Sequence, residues 1–246
     1  MKIKECIILG TSLLIFNGCF GTTDSDNIKT KGIYADYQLT LSDDGTTYVR
    51  ASLMSGNKHG ATLDLTNGDT LSVEVDGNSE KLERFSLLQN ISYSRKIMTN
   101  VADTKVTILF TRTTPQQELK SSILLPEKFE LLTPKENMIT SLNDILHITW
   151  SPSSENTNME IGIETICDTG EVENSTKTFS NNISNLNDNG SYDYLFSSNY
   201  KEDLEKYSNC KTSLEVTRFR LGIIDSSFDD GEIKASYSKS INLDIQ

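Results

Sequence analysis

The stretch "IYADYQLTLSDDGTTYVRASL", residues 33 to 53, decides the fold class. Ile33, Ala35, Tyr37, Leu39 and Leu41 alternate with Tyr34, Asp36, Gln38, Thr40 and Ser42, and Val49, Ala51 and Leu53 resume the apolar set after Asp43-Asp44-Gly45. Successive side chains of an extended chain point to opposite faces, so this period of two gives one apolar and one polar face. Aspartates and a glycine between the two runs supply turn conformations. The stretch predicts a β-hairpin with one face against a core.

The next apolar sets, in "ATLDLTNGDTLSVEV" (61–75), are Ala61, Leu63, Leu65 and then Leu71, Val73, Val75. Directly opposed residues of an antiparallel pair share a face. A two-residue turn at Asn67-Gly68 would set Leu63 against Ser72 and fails that test. A three-residue loop Thr66-Asn67-Gly68, with Gly68 at positive φ, predicts Leu63 opposite Leu71 and Ala61 opposite Val73. Further strands are expected at 91–97 and 105–112, the latter with Val106, Ile108 and Phe110 on one face. Residues 79–90 read as either a short helix or an irregular edge. The alternation breaks at "TTPQQE" (113–118) and "LLPEKF" (124–129), which predicts a domain boundary near Pro126.

Alternation restarts in the second half. Leu146, Ile148 and Trp150 face inward, with Ile145, His147 and Thr149 outward. Met159, Ile161, Ile163 and Cys167 share a face, and a helical turn is expected over 200–209. Leu214 and Val216 have one parity and Phe219, Leu221 and Ile223 the other, which predicts a bulge near Thr217 or Arg218. In the last strand Ile233, Ala235, Tyr237, Ile241, Leu243 and Ile245 fall on one side, with Lys239 as the exception. No long period-3.6 segment occurs past the N-terminal leader. Strands every 8 to 12 residues with Asp/Asn/Gly turns between them imply β-sandwiches.

Strand residues ending at Trp150 and followed by Ser151-Pro152 resemble the second strand of fibronectin type III and related immunoglobulin-like modules. The resemblance covers about ten residues and implies that Trp150 fills the centre of a sandwich. Trp150 precedes both downstream cysteines, so the immunoglobulin order of Cys, Trp, Cys is not met. The expected architecture is all-β, with two tandem immunoglobulin-like sandwiches at 33–125 and 127–246, preceded by a leader at 1–18 and a flexible tether at 19–32.

The leader reading comes from "MKIKECIILGTSLLIFNGC": Lys2 and Lys4, an apolar run from Cys6 to Phe16, and Gly18 at the cut. The run is shorter than the roughly 20 apolar residues that a spanning helix needs and has the build of a secretory signal. Phe16-Asn17-Gly18-Cys19 resembles the lipobox of bacterial lipoproteins, on the strength of Gly18-Cys19. In that family the thiol carries diacylglyceryl and the new amine is often acylated, for example with palmitate. The resemblance implies Cys19 as first mature residue and membrane anchor. Phe20, rather than Asp, after the cysteine implies the outer membrane of the bacterial envelope.

Removing 18 of 246 residues leaves 228, enough for one large domain or two of about 100. Lys2, Lys4 and Glu5 together carry +1, so the net charge of −12 becomes −13. Such a chain repels phosphate backbones, which argues against nucleic-acid partners. Anionic lipid heads repel it too, leaving the acyl anchor as its means of membrane contact. With Cys6 in the leader and Cys19 lipidated, Cys167 and Cys210 remain, and two thiols in an exported domain predict a disulfide.

Catalytic motifs are absent from the sequence. His59 lies in the loop "SGNKHGA" and His147 on a polar strand face, and no GxSxG-like elbow accompanies either. Asn185, Asn187, Asn189 and Gly190 imitate the start of an EF-hand loop, but position 12 is Phe196 where a bidentate Glu is required. Asp43-Asp44 and Asp229-Asp230 are weak calcium candidates that turn chemistry explains first. No metal, cofactor or catalytic residue is expected, and the binding residues are open. The preferred reading is a non-catalytic, lipid-anchored envelope protein acting as a binding or spacing module, with an unidentified envelope protein or glycan as partner. Two alternatives stand beside it: an envelope hydrolase using loop carboxylates on glycan or peptide, and an accessory subunit of a secretion or surface-assembly system.

Overall fold

The computed structural model describes residues 21–245 apart from 89, 170–174, 197–200, 203 and 205. The leader and Cys19 lie outside the described residues.

The chain is all-β. The first half contributes β1 (Thr22–Asp24), β2 (Ile33–Leu41), β3 (Thr47–Ser55), β4 (Thr62–Asp64), β5 (Thr70–Val75), β6 (Asn78–Lys81), β7 (Glu83–Leu87), β8 (Asn90–Ile97), β9 (Lys105–Thr113) and β10 (Gln116–Leu124). The second contributes β11 (Glu130–Thr133), β12 (Met138–Thr140), β13 (Ile145–Ser151), β14 (Asn158–Asp168), β15 (Thr176–Asn187), β16 (Ser191–Leu195), β17 (Ser208–Leu221) and β18 (Asp230–Ile245). One sheet runs β1-β4-β3-β2-β18-β17-β14-β15, with β8 and β7 joined through β3 and β12 through β18. A four-stranded sheet, β10-β9-β5-β6, covers its first half, and a three-stranded sheet, β11-β13-β16, its second.

Period-two burial holds in β2, β13, β14 and β18. Ile33, Ala35, Tyr37 and Leu39 are fully buried, as are Val49, Ala51 and Leu53 opposite them, with Leu39 facing Val49 across the hairpin. The turn puts Gly45 at φ +89°. Trp150 is core, together with Leu146 and Ile148. Residues 79–90 are strand, in β6 and β7, not helix. Of the helical turn expected over 200–209, Lys201, Glu202 and Leu204 are helical, and 200, 203 and 205 lie outside the described residues.

Four expectations are corrected. The hairpin pairing Leu63 with Leu71 does not form: β4 joins β1 and β3 in the long sheet, while β5 pairs with β6 and β9 in the facing one. Parity fixes the face a residue takes but not its partner, and both leucines reach the core from opposite sheets. Gly68 does take positive φ, +86°, in the connection between sheets. No bulge occurs near Arg218, because β17 and β18 stay in register from Thr212 to Leu221 and Arg218 itself takes the inward position.

The tether expected over 19–32 is fixed structure from Gly21 onward. β1 pairs with β4, Ser25 is fully buried, and Arg112 donates to the carbonyls of Ser25 and Ile28. The boundary expected near Pro126 does not divide the interior either. β18 pairs in parallel with β2 over Asp230–Ser236 while pairing antiparallel with β17, so a strand of the second half completes the sheet of the first. Phe228 stacks on Phe110 at 6.0 Å between centroids and meets Tyr37 edge-on at 6.4 Å. One hydrophobic core, rather than two separate layers, runs through both halves. Two glycines permit the approach. A Cβ on Gly231 would lie 2.4 Å from the Ala35 carbonyl oxygen, and one on Gly222 would lie 2.3 Å from that of Ser122.

Candidate functional site

The inward alternation of β9 and β17 ends on arginines, and each arginine organises one half. Arg112 and Asp69 are both buried, with Nε 3.5 Å from Oδ2. Asp69 also accepts from Ser25 Oγ at 2.8 Å and from the Thr113 amide at 2.9 Å. In the second half Arg218 Nε lies 2.6 Å from Asp188 Oδ2, both side chains fully buried. Asp188 accepts from Trp150 Nε1 at 2.6 Å and from the Thr157 hydroxyl. Arg218 donates to the carbonyls of Glu127, Lys128 and Pro152 and lies over the Phe129 ring. A buried charge must be paired to persist, and in both hubs the guanidinium is ion-paired through Nε, which makes no hydrogen bond, and hydrogen-bonded through its terminal nitrogens. Their partners are all parts of the chain, so they hold structure.

A surface cleft of about 620 Å³ lies where β5–β6 of the small sheet faces β7–β8 of the long one. Leu65, Leu71, Leu82 and Tyr93 form its apolar floor, and Glu80, Glu83, Arg84 and Arg95 its charged rim. Arg95 bridges Glu80 at 2.7 Å and Glu83 at 2.8 Å, and Arg84 grips Asp64 at 2.8 Å. The Arg84 hydrogen bond holds the Asp64 carboxyl below its ordinary range. Burial pushes the Tyr93 phenol up to about 12, and its oxygen accepts from the Leu65 amide at 2.8 Å. These carboxylates are bound by guanidinium groups rather than set against each other as an acid and a base. A second groove, of about 490 Å³, lies where the halves meet. Arg220 crosses it, reaching Asp103 Oδ1 at 2.5 Å and the carbonyls of Leu125 and Asn156.

The residues weighed for chemistry fall apart in space. Cys167 and Cys210 form the expected disulfide, linking β14 to β17. His59 is exposed in its loop. His147 has a partner that the sequence did not suggest: Asp193 Oδ1, 2.7 Å from Nδ1 across the β13–β16 pair. Both side chains are about two-thirds exposed on an open sheet face, where water competes for each group. At the calcium-candidate turn, Asp43 accepts from Tyr237 Oη at 2.5 Å and Lys239 Nζ at 3.0 Å. Lys96 donates to Asp44 at 2.9 Å and, with Thr46, holds its carboxyl down to about 2. Both carboxylates thus have ammonium groups of the same chain as counterions. Asp230 accepts from the Gly231 amide. Asp188, the carboxylate inside the failed EF-hand pattern, belongs to the buried hub. Among the described residues, no group of three or more His, Cys, Asp and Glu side chains is placed to hold a metal.

No protein-family model matches the chain, and no curated protein matches it. Among solved structures it is similar to the fibronectin(III)-like modules of Clostridium thermocellum CbhA, at 12% identity over 87% of this chain and 90% of that one, with a TM-score of 0.23. It is similar to titin domains Z1Z2 in complex with telethonin, at 13% identity over 89% of this chain and 98% of that one, TM-score 0.26. A third likeness is to the Bacteroides ovatus mixed-linkage glucan utilization locus protein SGBP-B in complex with mixed-linkage heptasaccharide, at 9% identity over 94% of this chain and 67% of that one, TM-score 0.21.

Proposed function

We propose that the protein is a non-catalytic, lipid-anchored protein of the bacterial cell envelope, held at Cys19 and sited at the outer membrane, whose body serves as a binding or spacing module. The observation that carries this reading is the direction of its strands. β1, β4 and β8 begin at one end of the long sheet, where Thr22 lies beside Thr62 and the Ile91 amide donates to Thr62 Oγ1. β2 and β18 run in parallel away from that same end. At about 3.3 Å per residue, the 16 residues of β18 extend roughly 50 Å, and Tyr237–Ile245 carry it about 30 Å beyond its pairing with β2. An anchor two residues before Gly21 therefore sits at one pole and the second half at the other. Fusion of the halves through β18 makes the spacer stiff. The Cys167–Cys210 disulfide is in keeping with an exported chain, and the cleft between β5–β6 and β7–β8 is the surface we assign to a ligand.

Replacement of Cys19 by Ser tests the anchor. The variant is expected to lose incorporation of labelled fatty acid and to move from the membrane fraction to the soluble one. A variant that stays with the membrane contradicts the reading. A second reading, an accessory subunit of a surface-assembly system, draws on β15, a 12-residue strand at the end of the long sheet whose outer edge has no strand partner among the described residues. An extended partner segment would add there through main-chain hydrogen bonds. Affinity capture from detergent-solubilised envelope would then retain a stoichiometric partner, and a protein recovered alone speaks against it.

A further inference from the structure

The β7–β8 hairpin carries apolar side chains that the fold leaves in water. Leu88, at its tip, is 85% exposed, Leu87 is 60% exposed and Phe85 is 56% exposed. Phe85 and Leu87 stand on one face of β7, two residues apart, and Leu88 follows at φ +48°. Exposed apolar side chains are ordinary when scattered, but a cluster at a loop tip marks a contact surface.

The position of the tip identifies what it contacts. The Gly21 carbonyl accepts from the Thr62 amide at 3.0 Å, and Thr62 Oγ1 accepts from the Ile91 amide at 3.0 Å. Ile91 lies opposite Ser86, and Asn90 opposite Leu87, in the hairpin register. The tip is thus two hydrogen bonds and one strand pairing from the first described residue. Two peptide links separate Gly21 from Cys19 and span at most about 7 Å. β1, β4 and β8 also start at the same end, so the tip and the anchored terminus point the same way.

We infer that Phe85, Leu87 and Leu88 form a lipid-contacting surface, seated in the interfacial layer of the bilayer that holds the Cys19 anchor. This rests on the anchored reading above and adds an orientation to it. Apolar side chains at such a surface enter about 5–10 Å into the boundary between headgroups and acyl chains. With a net charge of −13 once the leader is removed, the chain gains nothing from anionic headgroups, so the contact is apolar and is retained on zwitterionic lipid. The second half, and with it the β15 edge, is held away from the lipid.

The test uses the full-length, lipid-modified protein reconstituted into phosphatidylcholine vesicles, with a nitroxide on Leu88→Cys or, as a distal reference, on Ser180→Cys. Both sites are exposed, and the native cysteines are occupied by lipid and by the disulfide. The Leu88 label is expected to be shielded about tenfold from an aqueous nickel chelate relative to the Ser180 label and to collide more often with oxygen. Mass analysis of the N-terminal peptide reads the anchor separately. A lipidated Cys19 with both labels equally open to the chelate overturns this inference and leaves the anchor standing. An unmodified Cys19 overturns the anchored reading and the inference with it.

Discussion

Asp188 and Arg218 share a fully buried pocket, and each satisfies the other's charge. Removing one member of such a pair strands the other in a low-dielectric interior, at a cost of about 3–5 kcal/mol. Asp188→Ala is therefore expected to lower stability by that amount in urea unfolding, and a loss below about 1 kcal/mol would mean that water reaches Arg218. Tyr37 gives the opposite sign. Its hydroxyl is fully buried without a hydrogen-bond partner among the described residues, and burial, reinforced by Asp225, raises its pKa. An unpaired buried polar group costs free energy. Tyr37→Phe should be neutral or stabilising by about 1 kcal/mol in the same assay, and a clear loss would reveal a partner for the oxygen. Neither arginine hub was legible in the sequence, because alternation assigns a charged residue to the water side. The signal was there in register: Arg112 continues Val106, Ile108 and Phe110, and Arg218 continues Leu214 and Val216. Reading Leu221 and Ile223 as inward, in parity with Phe219, is what demanded a bulge that does not exist, since both are exposed.

At the scale of elements, the disulfide ties β14 to β17, neighbours in the long sheet. Closing a loop with 43 residues of separation contributes about 4 kcal/mol in the chain-entropy description of the unfolded state. Replacing both Cys167 and Cys210 by Ser should lower the unfolding free energy by roughly 2–4 kcal/mol, measured by denaturant titration. An unchanged midpoint would mean that the strand pairing alone fixes this region. Most strands were legible because one face is buried: β2, β3, β8, β9, β13, β14 and β18 each show the alternation. β10 was missed because Thr114-Pro115 and the polar run after it look like a broken pattern, whereas Leu119, Ser121 and Ile123 do face inward. Pairing was less legible than burial. Leu63 and Leu71 obey the same parity whether they are neighbours in one sheet or face each other across the core, so the choice between hairpin and crossover lay outside the local sequence.

For the whole molecule, all-β character was legible, but the relation between the halves was not. A break in alternation from Leu124 to Phe129 marks a linker only if its apolar residues are exposed, and Leu125 and Phe129 are buried. β18 showed a clean period of two along its length, and nothing in that pattern says that its inward side chains serve two sandwiches. The same blindness holds for the cleft, whose floor is drawn from strands of both facing sheets. β18, Phe228 and the close approaches at Gly222 and Gly231 make the two halves one cooperative body. Differential scanning calorimetry of the protein and of Phe228→Ala, which removes a ring packed against Phe110 and Tyr37, tests it most directly. A single transition with equal calorimetric and van't Hoff enthalpies is expected, shifted down as a whole by the substitution, for which large-to-small core changes cost about 3–5 kcal/mol. Two resolved transitions, with only the one belonging to the first half displaced, would contradict it.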